Sequence, residues 1–198
     1  MPTSTHFQTV HEAIRALRTK LDSIQKFASQ PGHPLYNDAM MRTCFQSFED
    51  LVIDLRTKVV TNACMTINFL VNNIFSKIAN PEQHADAKIL VIRRFLEAQN
   101  LPNNARDVLS LWQKFSQLNE SINTNGQLLE NIGVNPIATM NSMQTVLTGI
   151  SSIQRFYQQI EQSLRGFKDQ LDQGATQVEG VEQEVKWLAA MSVDLRNI

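Results

Sequence analysis

Histidine and cysteine side chains are the residues of this sequence that could build a metal site. The four histidines are His6, His11, His33 and His84. No two of them are three or four residues apart, the spacing that puts both imidazoles of a helical zinc motif on one face. The two cysteines, Cys44 and Cys64, are also too far apart to form a ligand pair. The sequence therefore predicts no metal site.

The same two cysteines are the candidates for a nucleophile. Both lie on or beside apolar stripes of predicted helices, where a thiol usually serves as inert packing. On one straight helix they would be separated by ~30 Å, too far for a disulfide. The sequence contains no glycine-rich phosphate loop. We therefore predict no catalytic residue, no cofactor-binding residue and no cofactor, and the chain is not expected to be an enzyme.

Carboxylates give no stronger indication of a reaction centre. Asp50 and Asp54 share a helix face, an arrangement typical of solvated surface. A di-iron bundle would need repeated Glu-x-x-His motifs. The glutamates checked for that pattern are Glu12, Glu49, Glu97, Glu130 and Glu161. None of them is followed by histidine at that spacing, so a ferritin-like centre is not predicted.

Charge and composition narrow the class of protein. Among 198 residues, 42% are hydrophobic and 19% are charged, and the net charge is -1. That balance is typical of a globular chain and provides no electrostatic drive toward nucleic acid. The N-terminal residues carry no basic-then-apolar signal pattern, and no apolar run approaches ~18 residues. A cytoplasmic location is the default expectation, and secretion by a non-classical route or as an effector stays open.

Helix-breaking residues are scarce, with seven glycines and six prolines, so long helices are expected. Apolar residues at steps of three and four predict an N-terminal bundle over residues 1–135. Its four helical segments are predicted at about 5–30, 37–79, 82–99 and 104–131. Near Val59–Ala63 the second segment combines β-branched residues with two consecutive steps of four, so a kink there is left open.

The final segment, residues 136–198, has the most regular pattern. Its apolar positions alternate in steps of three and four for more than six heptads, interrupted only at Gly174 and Ser192. Such a period predicts a long coiled-coil-like helix of ~90 Å, whose first half packs on the bundle. Whether it is continuous through Asp172–Gly180 is left open. The predicted fold is an all-α bundle of long antiparallel helices with this C-terminal heptad-patterned helix.

The second half of that helix has too few partner helices within the chain, so its apolar seam is expected to be covered by self-association or by another protein. Trp187 is the candidate anchor, although packing within the chain is the favoured interpretation of this residue. The predicted partner-binding residues are Val178, Val181, Val185, Trp187, Leu188 and Leu195. The predicted function is a non-enzymatic helix-mediated interaction module: an adaptor, assembly factor or scaffold.

Two other classes are kept as alternatives. One is a bacterial secretion-system component or secreted effector. The run Glu179, Glu182 and Glu184 near the C-terminus could serve such a protein as a translocation signal, although a solvated helix face is the favoured interpretation. The other is a membrane-trafficking protein of the tethering or SNARE-like kind, which has a similar layout of a bundle followed by a long helix. The chain departs from the SNARE pattern, because no Gln or Arg occupies a central seam position.

Overall fold

The computed structural model describes residues 4–198, with side chains placed from His6 onward. Within that range the chain forms helices and no strand, so the predicted all-α bundle is confirmed. The helical elements are α1 (Ser4–Ala28), a 3₁₀ turn (Pro34–Asn37), α2 (Ala39–Arg42), α3 (Cys44–Asp54), a first π segment (Leu55–Val59), α4 (Val60–Phe69), a second π segment (Leu70–Phe75), α5 (Ser76–Ala79), α6 (Ala85–Glu97), α7 (Asn100–Thr124), α8 (Gly126–Asn131), α9 (Pro136–Asp172) and α10 (Val181–Leu195).

The core of the bundle is built around α9, which is 37 residues long. It begins at Pro136, whose ring suits a first helical position, and the Asn135 side chain accepts a hydrogen bond from the Ala138 amide at 3.0 Å. Helices α1, α6, α7 and α8 pack against it. Its buried side chains follow steps of three and four, because only such positions share one side of a helix.

Where α1 meets α9, a glycine replaces a side chain. Gly149 is buried in α9, and a Cβ built on it would overlap Cγ2 of Val10 on α1. Val10 is itself 1% exposed and β-branched, so it has little freedom to move aside. The absence of a side chain at position 149 therefore allows the two helices to pack together.

Residues 44–79 form one helical rod, which contains both π segments. The first one, Leu55–Val59, ends at the first residue of the predicted weak point at Val59–Ala63. A π turn holds more residues than an α turn, and buried residues there follow one another at steps of four: Leu55, Val59 and Ala63. The first π segment thus accommodates the four-residue spacing of the apolar residues without breaking the helix. The predicted segment 37–79 also divides at Thr43, which separates α2 from α3.

The fourth predicted segment differs most from the structure, both in where it begins and in its continuity. The segment expected at 104–131 begins at Asn100, because Pro102 is accommodated in the first turn, where an amide proton has no intrahelical acceptor. It also divides at Asn125 into α7 and α8. The remaining segments, predicted at 5–30 and 82–99, correspond to Ser4–Ala28 and Ala85–Glu97.

The single long helix predicted over 136–198 is wrong, since the segment forms α9 and α10 joined by residues 173–180, hereafter the link. Gly174 adopts a φ of 91°. Its amide donates to the Leu171 carbonyl, and the Ala175 amide donates to the Gln170 carbonyl, each at 3.0 Å. These two bonds are the Schellman ending that a left-handed glycine favours. Helix α10 then folds back against α1, α4 and the second π segment.

Candidate functional site

The predicted partner-binding residues lie at the interface between α10 and the bundle. Val181, Trp187, Leu188 and Leu195 are buried, while Val178 and Val185 are partly buried and pack against the core. The expectation that this seam lacks partners within the chain is wrong, because the link reverses the chain and α10 covers its own apolar side. Binding of an outside protein by these residues stays a prediction.

A serine and a histidine also come together at this interface. His6 Nε2 lies 3.1 Å from Ser152 Oγ, beside a groove of 320 Å³ whose walls include Trp187. Asp194 lies near enough that the imidazole of His6 lowers its pKa against the larger, opposite effect of burial. Sequence reasoning missed this grouping because His6 and Ser152 are 146 residues apart.

These three residue types form hydrolase triads elsewhere, but the geometry here does not meet the requirements of one. The Ser152 hydroxyl donates to the Thr148 carbonyl at 3.1 Å, so its proton is committed to the helix backbone. Among the described residues, neither carboxylate oxygen of Asp194 has a hydrogen-bond partner, so it does not orient His6. Ser152 also lies in the interior of α9, where neighbouring amides are bonded within the helix. We assign no catalysis to this grouping.

The cysteine side chains serve packing. Cys44 is fully buried, and its thiol donates to the Leu21 carbonyl at 3.3 Å. Burial raises the pKa of this thiol to about 12, which keeps it protonated and unreactive at neutral pH. Over residues 4–198, no three His, Cys, Asp or Glu side chains gather as a metal site would require. Within the same range, no helix has both the length and the apolar character needed to cross a bilayer.

A groove lined by exposed apolar side chains lies beside α4. Met65 and Phe69 of α4 are 63% and 48% exposed. The ring of Phe69 stacks on that of Phe95 from α6, with centroids 5.8 Å apart and planes inclined by 17°. The groove measures 330 Å³, and its lining residues are Asn62, Met65, Thr66, Phe69, Phe95, Asn100 and Asn104. We name it the Met65–Phe69 groove. None of its lining side chains carries a charge.

A buried hydroxyl lies against this groove. Tyr157 of α9 is 2% exposed, and its phenol oxygen has no hydrogen-bond partner among the described residues. Burial raises the pKa of this phenol, and the nearby side chains of Thr66 and Asn104 oppose the rise. Those two groove residues lie close together, with Asn104 Nδ2 3.5 Å from Thr66 Oγ1. The phenol oxygen is thus enclosed beneath the polar side of the groove, and an unpaired buried hydroxyl is costly.

The two π segments stand on either side of the α4 residues that form the groove. Leu55–Val59 ends just before α4 begins, and Leu70–Phe75 starts just after Phe69. Each π turn rotates the residues that follow it relative to an uninterrupted α-helix, so the first one sets which side chains α4 presents outward. Such turns are frequent at functional sites. Sequence reasoning did not single out Met65 or Phe69, although both lie off the apolar stripe of their helix, and that was the available signal.

Two carboxylates of α10 are covered, to different degrees, where this helix packs on the bundle. Asp194 is 1% exposed, and Glu184 is half-buried with one carboxylate oxygen fully covered and unpaired among the described residues. Burial raises the pKa of both side chains. The nearby Asn197 side chain and, to a smaller extent, the imidazole of His6 partly offset the rise at Asp194, and Ser163 partly offsets it at Glu184. Docking of α10 therefore has an electrostatic cost at neutral pH.

This cost predicts a pH dependence of stability. The folded state holds the Asp194 proton to a higher pH than the unfolded chain does, so the free energy of unfolding falls as pH rises from about 4 through the raised pKa. Asp194→Asn is expected to stabilise the protein at neutral pH by about 1 kcal/mol. Urea denaturation should show that this gain in the free energy of unfolding becomes smaller as the pH is lowered toward 4. Asp54→Asn, an exposed control, should show no such trend, and a gain that grows toward acid pH would contradict the assignment.

Comparison of the chain with protein-family models, curated proteins and solved structures finds no match.

Proposed function

We propose that this protein is a non-enzymatic, helix-mediated interaction module, an adaptor, assembly factor or scaffold component, and that it binds another protein through the Met65–Phe69 groove. The observation that carries the proposal is the exposure of Met65 and Phe69 over the buried ring of Phe95. Methionine and aromatic residues are enriched in the cores of protein interfaces. Large apolar side chains that the bundle leaves uncovered on one side of a helix are well placed to anchor a partner.

The groove also indicates what kind of segment it accepts. Its floor is apolar, and its polar lining consists of three asparagines and Thr66, with the Tyr157 hydroxyl close by. An apolar anchor flanked by groups that donate and accept hydrogen bonds suits that surface, whereas a charged segment finds no counter-charge in the lining. Binding is therefore expected to depend only weakly on salt, since screening acts mainly on charge pairs.

Replacing Met65 and Phe69 together by lysine is expected to weaken partner binding at least tenfold, because two desolvated anchors are lost. Met65 is mostly exposed, and losing the stacking of Phe69 on Phe95 should cost about 0.5–1.5 kcal/mol, so the variant is expected to stay folded. The measurement is quantitative affinity capture of interacting proteins with the tagged chain, at low and high salt. Ile137 and Val193, 68% and 63% exposed, provide a matched double-lysine control away from the groove.

The proteins retained by the wild type, the groove variant and the control decide whether the Met65–Phe69 groove binds a partner. Proteins retained by the wild type and the control, but lost by the groove variant at both salt concentrations, support a partner at the Met65–Phe69 groove. If the wild type and the groove variant retain the same proteins in the same amounts, the groove is not the binding surface. The proposed function then loses the observation that carries it.

A further inference from the structure

Helix α10 is attached to the bundle by an exposed link and occupies a groove of its own. Helix α10 packs against α1, α4 and the second π segment, and its buried Trp187 also contacts Phe156 of α9. Most of the link is exposed, and both of its glycines, Gly174 and Gly180, have a φ of 91°. One side chain fastens it: Gln170 Oε1 accepts from the Glu179 amide at 2.8 Å, and Gln170 Nε2 donates to the Glu179 carbonyl at 3.2 Å.

The apolar register of α9 continues through this link into α10 without a slip. The buried positions 160, 164, 167 and 171 of α9 are followed, at the same alternating steps of four and three, by 174, 178, 181, 185, 188, 192 and 195. A reversal of the chain imposes no such phase relation between the helices that it joins. A single straight helix over 136–195 does impose it. The sequence thus carries the pattern of a second conformation in which the link is helical.

Straightening the link would remove α10 from its groove and leave the apolar walls uncovered. The segment that fits those walls is α10 itself, and a second copy of the chain supplies an identical one. Exchange of identical elements is a low-cost route to a dimer, because every interface contact is made again between copies.

We propose that this chain forms an exchanged homodimer, in which α9, the link and α10 join into one helix of ~90 Å and each α10 fills the groove of the other copy. The proposal concerns α10 and its groove alone, so it stands independently of the Met65–Phe69 groove.

The observed packing is compatible with two-fold symmetry. Helix α10 runs antiparallel to α9: Trp187 lies 5.7 Å from Phe156 between ring centroids, Glu184 and Ser163 line one groove, and Gly180 adjoins Phe167. With that pairing transferred between copies, residues near 174 of one long helix lie opposite residues near 174 of the other. Gly174 would then lie at the two-fold axis, where the lack of a side chain helps the two links to pass.

The glycines of the link provide the test. Alanine at 174 and 180 is disfavoured at a φ of 91° and favoured in a helix, so Gly174→Ala with Gly180→Ala penalises the reversed link and stabilises the straight one. We expect the association constant of the dimer to rise by at least about a hundredfold. The measurement is light scattering after size exclusion over a range of concentrations. Gly166→Ala, at an exposed position of α9 with open space around it, should leave the association constant unchanged.

A cross-linking measurement shows whether α10 is the exchanged element. Chains carrying Ser163→Cys are mixed with chains carrying Glu184→Cys, all on a Cys64→Ser background. A disulfide between the two kinds of chain requires α10 of one to reach α9 of the other. In the control, Lys186→Cys replaces Glu184→Cys. Lys186 is exposed and pairs with Glu182 of its own helix, so this mixture should give no such product.

Dimers of the double-alanine variant that form the mixed disulfide support the exchange. Dimers without that disulfide assemble through another surface, and the proposal is then wrong. A folded double-alanine variant that stays monomeric at every concentration also overturns it. Should that variant fail to fold, chains with the natural link decide the question: warmed together and cooled, they must yield the mixed disulfide, and its absence refutes the exchange.

Discussion

Replacing Gly149 with alanine is expected to destabilise the protein by about 1–3 kcal/mol. The added methyl group would overlap Cγ2 of Val10, which is buried and β-branched, so α1 and α9 must move apart or distort. The sign of this change in stability is informative, because replacing glycine with alanine inside a helix otherwise stabilises a protein by about 0.5–1 kcal/mol. Urea denaturation, followed by circular dichroism, gives the free energy of unfolding.

Two further variants isolate the cause. Gly166→Ala makes the same change on the same helix at an exposed position with nothing within 4 Å, and it should stabilise the protein. Val10→Ala should partly rescue Gly149→Ala, since it removes the methyl group that the new Cβ would strike. The coupling in that double-mutant cycle should be at least about 1 kcal/mol. Additive effects of the two substitutions would show that the contact between positions 10 and 149 does not govern the packing of α1 on α9.

The pair Gly166 and Gly174 shows what the sequence predicts and where prediction ends. Both glycines lie in the same heptad-patterned segment, and local propensity treats them alike. Gly166 stays inside α9, whereas Gly174 ends it with a left-handed turn. The apolar pattern predicts that the faces of α9 and α10 will be buried. It does not predict whether another molecule or the same chain will bury them, because that depends on long-range packing.

The rod at residues 44–79 is a second case. Consecutive steps of four in its apolar stripe indicate an irregularity, and the structure accommodates it with a π segment at Leu55–Val59 rather than a break. The Met65–Phe69 groove, which we propose as the binding surface, depends on such local changes of helix type. Met65 and Phe69 can be recognised in the sequence as apolar residues off the stripe, but the stacking of Phe69 on Phe95 joins residues of two separate helices. Hydrophobic periodicity contains no information about that contact.

Replacing Trp187 with alanine is expected to destabilise the monomeric protein by about 3–5 kcal/mol, the largest effect of any substitution considered. The indole is 6% exposed and packs on Phe156, with ring centroids 5.7 Å apart, so its removal leaves a cavity between α10 and α9. The sequence offered two roles for this residue: an anchor for an outside partner and packing within the chain. The free energy of unfolding distinguishes them, because an anchor awaiting a partner contributes little to the stability of the isolated chain.

Val193→Ala is the matched control, since Val193 lies on the same helix and is 63% exposed. It should change stability by less than about 0.5 kcal/mol. The denaturant dependence adds a second readout. If α10 unfolds together with the bundle, Trp187→Ala lowers the midpoint and leaves the slope unchanged; if α10 detaches first, the slope falls because less surface remains to be exposed. A loss below about 1 kcal/mol, with an unchanged slope, would contradict the packing of Trp187 described here and favour the anchor role instead.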